Sequence, residues 1–410
     1  MSAPGPADLR EVVAADVYLD DTAVATLVRT PDDAVAFEYS VATPPGRTPL
    51  RADSVSWSLP RDATYPLVTA GGAVPPFFAG LLPEGVRLGA VTSSTKTSVD
   101  DHLTLLLAVG ADTIGNVRIV ASGTTPPAHS PMFSPEHDTD FRHVFARLAG
   151  SVDADPVALA GVQPKVSAAM WSVPTSTARG PAILKLTPPT RFPRLAENEH
   201  FFMRMAAACG LRVPETRLIH DSDGRSAILV ARFDRHASTR IAQEDACQVA
   251  GLYPASKYRM KTETAISILA DACARGGGSR AATTLELLRT VVFSWLIGNG
   301  DLHGKNLSIY APDGLWQPTP AYDLLTTQPY SGWDDPMAMT LYGRANRLSR
   351  VHFVEAGRRL GVRERAVDRM IDSVATAAGE WPSRVHEIGF SERETQRLEN
   401  LLRKRIVTLR

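Results

Sequence analysis

The order of apolar and polar residues predicts strands in the first part of the chain. Between Val12 and Tyr39, short apolar runs alternate with turn sequences rich in aspartate and proline. This arrangement is typical of a β-meander, in which consecutive strands pair through short turns. Further elements are predicted before residue 121: a strand at 54–59, helices at 75–85 and 103–109, and a strand at 116–120.

The second half of the chain is predicted to be mainly helical. Its apolar residues recur every three or four positions, which is the period of an amphipathic helix. A glycine-rich break at 276–279 separates two of these helices and predicts a flexible loop. Thr283 and Glu286 fit a capping box at the start of the second helix. The predicted helices are 197–208, 262–275, 284–297, 353–360, 365–378 and 392–409.

Composition and charge narrow the class of protein. The chain has 410 residues, which is long enough for two or three domains. Lysine plus arginine and aspartate plus glutamate both number 44, and this zero net charge argues against an autonomous nucleic-acid binder. The three cysteines lie far apart in apolar surroundings, which predicts core residues in a reducing compartment. The sequence has no membrane-span run and no signal-peptide pattern, so we expect a cytoplasmic protein.

A polar loop between two buried elements carries the strongest chemical signal. The apolar helix end at 291–297 is broken at Gly298, and an apolar strand is predicted from Leu307. Between them the loop presents a carboxylate, an imidazole, an ammonium and a carboxamide: Asp301, His303, Lys305 and Asn306.

The spacing of this loop favours phosphoryl transfer. An aspartate followed by an asparagine five positions later is typical of a kinase catalytic loop, in which the aspartate accepts the proton of the substrate hydroxyl. Asp323, in the sequence AYDLL, follows where the second metal-binding acid is expected. The alternative is a polar turn in which Asp301 and Asn306 only cap neighbouring backbone groups.

A lysine in an apolar strand provides the expected nucleotide-side cation. Lys185 has two apolar neighbours on each side, which predicts a strand buried on both faces. A buried ammonium needs an anionic partner, and phosphate is the natural one. Glu197 or Glu199 could pair with Lys185 as in kinases, although acids at a helix start are equally well explained by the helix dipole. Residues 231–233, after the strand at 227–230, would form the hinge.

With these motifs in place, the chain resembles the HipA family of bacterial serine/threonine kinases, the toxins of toxin–antitoxin pairs. The resemblance covers nearly the whole chain in the right order, and its motifs together are highly specific. They are FFAGLLPEG (77–85), AVGADTIGNVRI (108–119), LAGVQPK (159–165), ENEHFFMRMAAACGLRVPE (197–215), LVARFDR (229–235), GNGDLHGKN (298–306) and AYDLL (321–325).

The resemblance implies an α+β fold, with an N-terminal β-rich domain and a protein-kinase-like two-lobed core whose C-terminal lobe is mainly helical. The expected organisation is a flexible tail (1–11), the β-rich domain (12–121), a linker rich in proline and serine (122–140), the first kinase lobe with phosphate loop and hinge (141–240), and the helical lobe with the catalytic and metal-binding residues (241–410).

The resemblance also implies a role for individual positions. Asp301 would be the catalytic base, and Asn306 and Asp323 would bind Mg²⁺. The cofactors would be ATP and Mg²⁺. The residues that would bind ATP are Ala160, Gly161, Val162, Gln163, Pro164, Lys165, Lys185, Ala231, Arg232, Phe233, His303, Gly304, Lys305, Asn306, Tyr322 and Asp323.

Partners follow from the same resemblance. Family members phosphorylate a serine on an aminoacyl-tRNA synthetase and are neutralised by HipB, a small helix-turn-helix antitoxin. DNA would then be contacted only through the partner complex, which fits the neutral charge, and no membrane is implied.

One position departs from the family. Ala158 stands where the inactivating autophosphorylated serine is expected, so we predict that this switch is absent.

Two other functions stay open from the sequence. The run Gly300-Asp301-Leu302-His303 with Asn306 also resembles the loop of antibiotic and choline kinases, which favours a small-molecule phosphotransferase. The predicted N-terminal β-rich domain argues against this alternative. The other is a non-catalytic kinase-like module in a repressor complex. Retention of Lys185, Asp301 and Asp323 argues against it, because an inactive kinase needs none of them.

Overall fold

A five-stranded antiparallel sheet forms the first layer of the fold. The computed structural model describes residues 6–40, 54–127, 140–141, 170–187, 192–236 and 239–410. The predicted β-meander is confirmed, and the strand order is β4-β3-β2-β1-β5. Leu27, Phe37 and Ile119 are fully buried on the covered face of this sheet. The strands are β1 (Ala14–Leu19), β2 (Thr22–Arg29), β3 (Val35–Tyr39), β4 (Leu67–Thr69) and β5 (Val117–Ala121).

Three helices cover that face: α1 (Pro76–Leu81), α2 (Gly85–Thr95) and α3 (His102–Val109). The strand predicted at 54–59 is wrong. This segment is a turn with one isolated bridge between Ser56 and Leu59, because its polar groups bind a carboxylate from the other half of the chain. Residues Pro6–Glu11, where a flexible tail is expected, form a 3-10 helix, and another spans Gly110–Asp112.

The second layer is a four-stranded antiparallel sheet in the order β6-β7-β9-β8, with one long helix packed on it. In β7 the residues from Leu184 to Leu186 are all buried, as predicted for a strand covered on both faces. Of the predicted linker, residues 128–139 lie outside the described residues, as do the whole loop 160–165 and Ala158. The elements are β6 (Trp171–Thr177), β7 (Gly180–Leu186), α4 (Leu195–Ala208), β8 (Thr216–His220) and β9 (Ser226–Ala231).

The last part of the chain is mainly helical, as predicted, around one large apolar core. Its helices are α5 (Ala246–Val249), α6 (Thr262–Arg275), α7 (Arg280–Ile297), α8 (Arg350–Arg359), α9 (Glu364–Ala377) and α10 (Glu392–Leu409). Its short strands are β10 (Arg235–His236), β11 (Thr239–Arg240), β12 (Gln243–Asp245), β13 (Ser308–Tyr310) and β14 (Gln317–Pro318), and its 3-10 helices are Pro254–Ser256, Gly304–Asn306, Gln328–Tyr330, Ala378–Glu380 and Pro382–Ile388.

The start of α7 differs from the prediction. The helix begins four residues earlier, and its N-cap is Ser279, whose hydroxyl accepts a hydrogen bond from Ala282 N at 3.3 Å. The predicted capping box at Thr283 is therefore wrong. The glycine break is also packed rather than loose, since a Cβ at Gly278 would lie 2.1 Å from the Trp316 carbonyl oxygen.

Buried polar contacts join the N-terminal sheet to the rest of the chain. The Glu244 carboxylate of β12 accepts hydrogen bonds from Ser56 Oγ at 2.6 Å and from Trp57 N at 2.9 Å. Asp112, in the 3-10 helix that follows α3, forms ion pairs with three arginines of the 232–240 segment. The N-terminal part is thereby fixed against the region that follows β9. None of the helices in the described ranges is long and apolar enough to cross a membrane.

Candidate active site

The polar loop after α7 is held in a tight conformation by the residues around it. Gly298 ends the helix in the left-handed region, with φ of 75°, where glycine is favoured. Gly300 leaves room for Asp335, whose Oδ2 would lie 2.0 Å from a Cβ at this position. The Gly300 N–H donates to Thr327 Oγ1 at 2.9 Å. The two glycines therefore allow a sharp turn directly before Asp301.

Asp301 is nearly buried and its carboxylate is oriented by a tyrosine. Only 5% of the residue is exposed, and its N–H donates to Asn299 Oδ1 at 2.9 Å. The hydroxyl of Tyr258 donates to Asp301 Oδ1 at 2.8 Å. Tyr258 lies 43 residues upstream in an irregular segment, and no motif in the sequence connects it to this loop.

The two residues expected to bind metal lie next to each other. Asn306 Nδ2 donates to Asp323 Oδ2 at 3.1 Å, and Asn306 Oδ1 accepts from His303 N, also at 3.1 Å. Asp323 has a φ of 55°, an uncommon conformation for a residue other than glycine. Strained backbone of this kind persists where the surrounding structure imposes it, often at functional sites.

Lys185 reaches from the second sheet into the same cluster. Its Nζ donates to Glu199 Oε1 at 2.6 Å and also to Asp323 Oδ1. Burial alone favours the neutral amine, but the carboxylates of Asp323 and Glu199 raise the pKa of Lys185 above its ordinary value. Of the two candidate acids, Glu199 is the partner, since Glu197 binds Arg194 and Ser226 instead.

The N-terminal part of the chain contacts the catalytic loop directly. Lys305 Nζ donates to Gly80 O at 3.0 Å and to Glu84 Oε1 at 2.8 Å, and Glu84 also binds Lys257. Burial opposes the charge on Glu84, but Lys305 and Lys257 together lower its pKa to about 2. The segment FFAGLLPEG carries the family resemblance, yet the sequence assigned no function to Glu84.

His303 is a neutral imidazole inside this cluster. It is 5% exposed, and burial together with the nearby Lys257 lowers its pKa to about 4. Within the described residues, its Nδ1 atom has no hydrogen-bond partner. The ring lies edge-on to Tyr258, with the ring centroids 5.1 Å apart. A neutral ring nitrogen without a partner can accept or donate one hydrogen bond to a ligand.

The expected hinge lies at the end of β9, but two of its backbone N–H groups already donate hydrogen bonds within the protein. Ala231 N donates to Glu215 O at 2.9 Å and Arg232 N donates to Pro181 O at 3.0 Å. Contacts of these two residues with adenine would therefore be made by their carbonyl groups. The rings of Phe233 and Tyr322 lie in contact, with their centroids 5.9 Å apart, and both residues line the cleft, so they offer an aromatic surface on which a base could stack.

A cleft with two chambers connects these residues. A cavity of about 350 Å³ is lined by Lys185, Val230, Ala231, Phe233 and Tyr322, and reaches Asp323 and Lys305. A second cavity of about 230 Å³ is lined by His303, Lys305, Asn306 and Asp323. The first has the apolar and backbone groups suited to a nucleoside. The second has the oxygen donors suited to a metal ion.

The donor set fits a magnesium ion that is completed by phosphates. No cluster of three or more histidine, cysteine, aspartate or glutamate residues that could hold a metal occurs in the described ranges. Mg²⁺ in kinases uses one or two protein oxygens together with phosphate oxygens and water. The Asp323 carboxylate and the Asn306 carboxamide, within hydrogen-bond distance of each other, match that requirement.

Comparisons with known proteins agree with this geometry. The model of the HipA-like C-terminal domain matches residues 157–381, and that of the HipA N-terminal domain matches residues 15–120. The chain belongs to the HipA family. The matched segments contain the N-terminal sheet with α1 to α3 and, up to residue 381, the second sheet with most of the helical part.

Several relatives in the family match this chain over most of their own length. The chain is 30% identical to the Y4mE protein of Sinorhizobium fredii over 326 residues, which cover 74% of this chain and 77% of that protein. It is 30% identical to Y4dM of the same organism, with 83% of each chain covered. It is 27% identical to the serine/threonine-protein kinase toxin HipA of Shewanella oneidensis, over 69% of this chain and 70% of that one.

The fold is that of a solved HipA protein. The structure of the Shewanella oneidensis HipA, HipB and operator DNA complex matches 96% of this chain and 96% of the compared chain. The TM-score is 0.74 at 20% sequence identity. This match confirms the predicted α+β class with a kinase-like core. The predicted domain boundaries and the roles of individual site residues stay predictions.

Proposed function

We propose that this HipA-family protein is an ATP- and Mg²⁺-dependent serine/threonine-protein kinase. The observation that carries the proposal is the convergence of Lys185, Asn306 and Asp323 on one cleft from three separate segments of the chain. Asp301 belongs to the same loop as Asn306 and precedes His303, which lines the second cavity, by two residues. A capping role would explain Asp301 or Asn306 alone. It does not explain why a buried lysine shares Asp323 with the asparagine of the loop.

Catalysis would depend on positioning and charge. Asp301 accepts the proton of the substrate hydroxyl as that oxygen attacks the γ-phosphorus, and ADP leaves. Tyr258 and the turn at Gly300 keep the Asp301 carboxylate in one orientation. Lys185, held by Glu199, would contact the phosphates, and Asn306 and Asp323, which lie within hydrogen-bond distance of each other, would hold the metal. Mg²⁺, when bound, would neutralise negative charge on the transferred phosphoryl group.

The protein substrate and the partner are proposed on family grounds. The homologous Shewanella protein is named a serine/threonine-protein kinase toxin, and the structural neighbour is a complex with HipB and operator DNA. We therefore propose that the substrate is a serine on a component of translation, such as an aminoacyl-tRNA synthetase. A HipB-like helix-turn-helix protein would neutralise the kinase and contact DNA for the complex.

The direct test is transfer of labelled γ-phosphate into the host's own proteins. Wild type should label a discrete protein band, and Asp301→Asn should lower the rate by about 10²- to 10⁴-fold. Asp323→Asn should abolish transfer as well, because the metal loses its carboxylate. Asp313→Asn, at an exposed position away from the cleft, is the matched control and should be fully active.

Two results would contradict the proposal. Equal transfer by wild type and Asp301→Asn would exclude Asp301 as the base. Labelling of an amino-alcohol or aminoglycoside by wild type, with no labelled protein, would instead identify a small-molecule phosphotransferase. A labelled band that both cleft variants lose would support the kinase, and its identification would reveal the target.

A further inference from the structure

The junction of the two chambers is lined by a cation from the N-terminal part of the chain. Arg87 lies in the first turn of α2 and lines both the nucleoside chamber and the metal chamber. A nucleotide whose base occupies the first chamber and whose metal lies in the second must place its phosphates at this junction. Arg87 was not among the site residues predicted from the sequence.

Among the described residues, the two lysines that line the cleft are already neutralised by acids. Lys185 donates to both Glu199 and Asp323, so its charge is fully compensated before any ligand enters. Lys305 is bound by Glu84 and by the Gly80 carbonyl oxygen. Neither lysine can bind a phosphate without losing or sharing an existing carboxylate. A cation without a carboxylate partner could therefore bind the phosphates of a nucleotide with less loss of existing contacts than either lysine.

Arg87 has no carboxylate of its own among the described residues. Its guanidinium makes one hydrogen bond to them, a long one of 3.4 Å from Nη1 to the Ser172 carbonyl oxygen. The Asp112 carboxylate favours the charged form of Arg87. That carboxylate, however, already forms ion pairs with Arg232, Arg235 and Arg240. Burial lowers the pKa of Arg87 below its ordinary value, as expected for a cation with poor compensation.

We infer that Arg87 binds phosphate oxygens of the nucleotide, so that the N-terminal part of the chain completes the active site. The inference rests on the proposed function, because it requires that ATP occupies the cleft. An arginine suits this position, since its planar guanidinium can donate two parallel hydrogen bonds to a phosphate. The hydrogen bond to Ser172 also places the side chain against β6 of the second sheet.

The test compares the affinities for ATP and for adenosine. Calorimetry on the full chain should give Arg87→Gln an ATP dissociation constant about 10- to 100-fold higher than wild type. Adenosine affinity should be unchanged, because the inference assigns only phosphate oxygens to Arg87 and adenosine has none. Arg87→Lys keeps the charge and loses the paired donors, so we expect an intermediate loss. Lys96→Gln removes an exposed charge at the other end of α2 and should bind ATP like wild type.

The outcomes separate this inference from the proposed function. Unchanged ATP affinity in both Arg87 variants, with tight binding by wild type, would overturn the inference and leave the kinase proposal intact. An equal loss for ATP and adenosine would also overturn it, because Arg87 would then only support the fold. If wild type bound neither ligand, the proposed function would fail and the inference with it. Should Arg87→Gln not fold, Arg87→Lys alone tests the inference. A loss of affinity for ATP that adenosine does not share supports it, and no loss, or an equal loss for both ligands, overturns it.

Discussion

The buried glutamate of β12 should make the stability of the protein depend on pH. Glu244 is buried, with 4% of the residue exposed, and its carboxyl group accepts hydrogen bonds from Ser56 Oγ and Trp57 N. Burial, only partly opposed by these hydrogen bonds, raises its pKa from 4.5 to about 8. The neighbouring Asp245 acts in the same direction. At neutral pH the folded protein therefore keeps this carboxyl group protonated.

The sign and size of the effect follow from proton linkage. Between the unfolded and folded pKa values, the folded state binds a proton that the unfolded state does not, so stability falls as pH rises. The stabilisation is complete at pH values below 4.5, the pKa in the unfolded state. It is lost as the pH rises through about 8, the pKa of Glu244 in the folded state. Each pH unit in this window corresponds to about 1.4 kcal/mol, so the interval from about pH 5.5 to pH 8.5 should cost about 3 kcal/mol.

Glu244→Gln removes the titrating group and keeps one acceptor and a donor for Ser56 and Trp57. Urea unfolding at the two pH values should show that wild type loses about 3 kcal/mol more than the variant. Glu355→Gln is the matched control. Glu355 is partly exposed, with 37% of its side chain accessible, and hydrogen bonds from Arg358 and Arg359 lower its pKa to about 2, so it stays charged throughout the interval.

A pH-independent difference between wild type and Glu244→Gln, within about 1 kcal/mol, would refute the reasoning about this buried carboxyl group. Infrared spectroscopy gives an independent check, because a protonated carboxyl group absorbs separately from a carboxylate. The wild-type spectrum should contain a protonated-carboxyl band at neutral pH that disappears near pH 8 and is missing in the variant.

Three further predictions concern the cleft. Lys185→Met should abolish phosphoryl transfer and lower the free energy of unfolding by about 3–5 kcal/mol, because Glu199 stays buried without its partner. Adding Glu199→Gln should recover the stability but not the activity. A double variant as unstable as the single one would contradict the role of the ion pair. Tyr258→Phe should lower kcat by about 10-fold, since a hydrogen bond to a charged group is lost, while KM for ATP stays constant; a change confined to KM would argue against a role in orienting Asp301. NMR titration of His303 should show a neutral imidazole down to about pH 5, given its pKa of about 4, and a midpoint near 6.5 would show that the ring is not buried as described.

The local elements were largely predictable because their patterns are short-range. The β-meander, strand β7 and the helices of the C-terminal part follow from periodicity and turn residues. The errors occurred where distant groups override the local pattern. The segment at 54–59 alternates like a strand, but its polar groups bind Glu244, which lies almost 190 residues later. Similarly, Ser279 rather than Thr283 caps α7, because the glycine break before it packs against Trp316.

The sequence by itself determined the chemical groups of the cleft and the family to which they belong. The spacing of the three kinase residues is characteristic, because the loop and the chain that follows it must bring their side chains together. They are Asp301, Asn306 and Asp323. Only the tertiary structure decided which of two glutamates pairs with Lys185, and that Tyr258 orients Asp301. It also decided that the N-terminal part supplies Glu84 and Arg87 to the cleft. Some of these contacts join residues more than forty positions apart, and another involves only one of two glutamates that lie close together on the same helix. Side-chain packing between elements, not local periodicity, determines both kinds of contact.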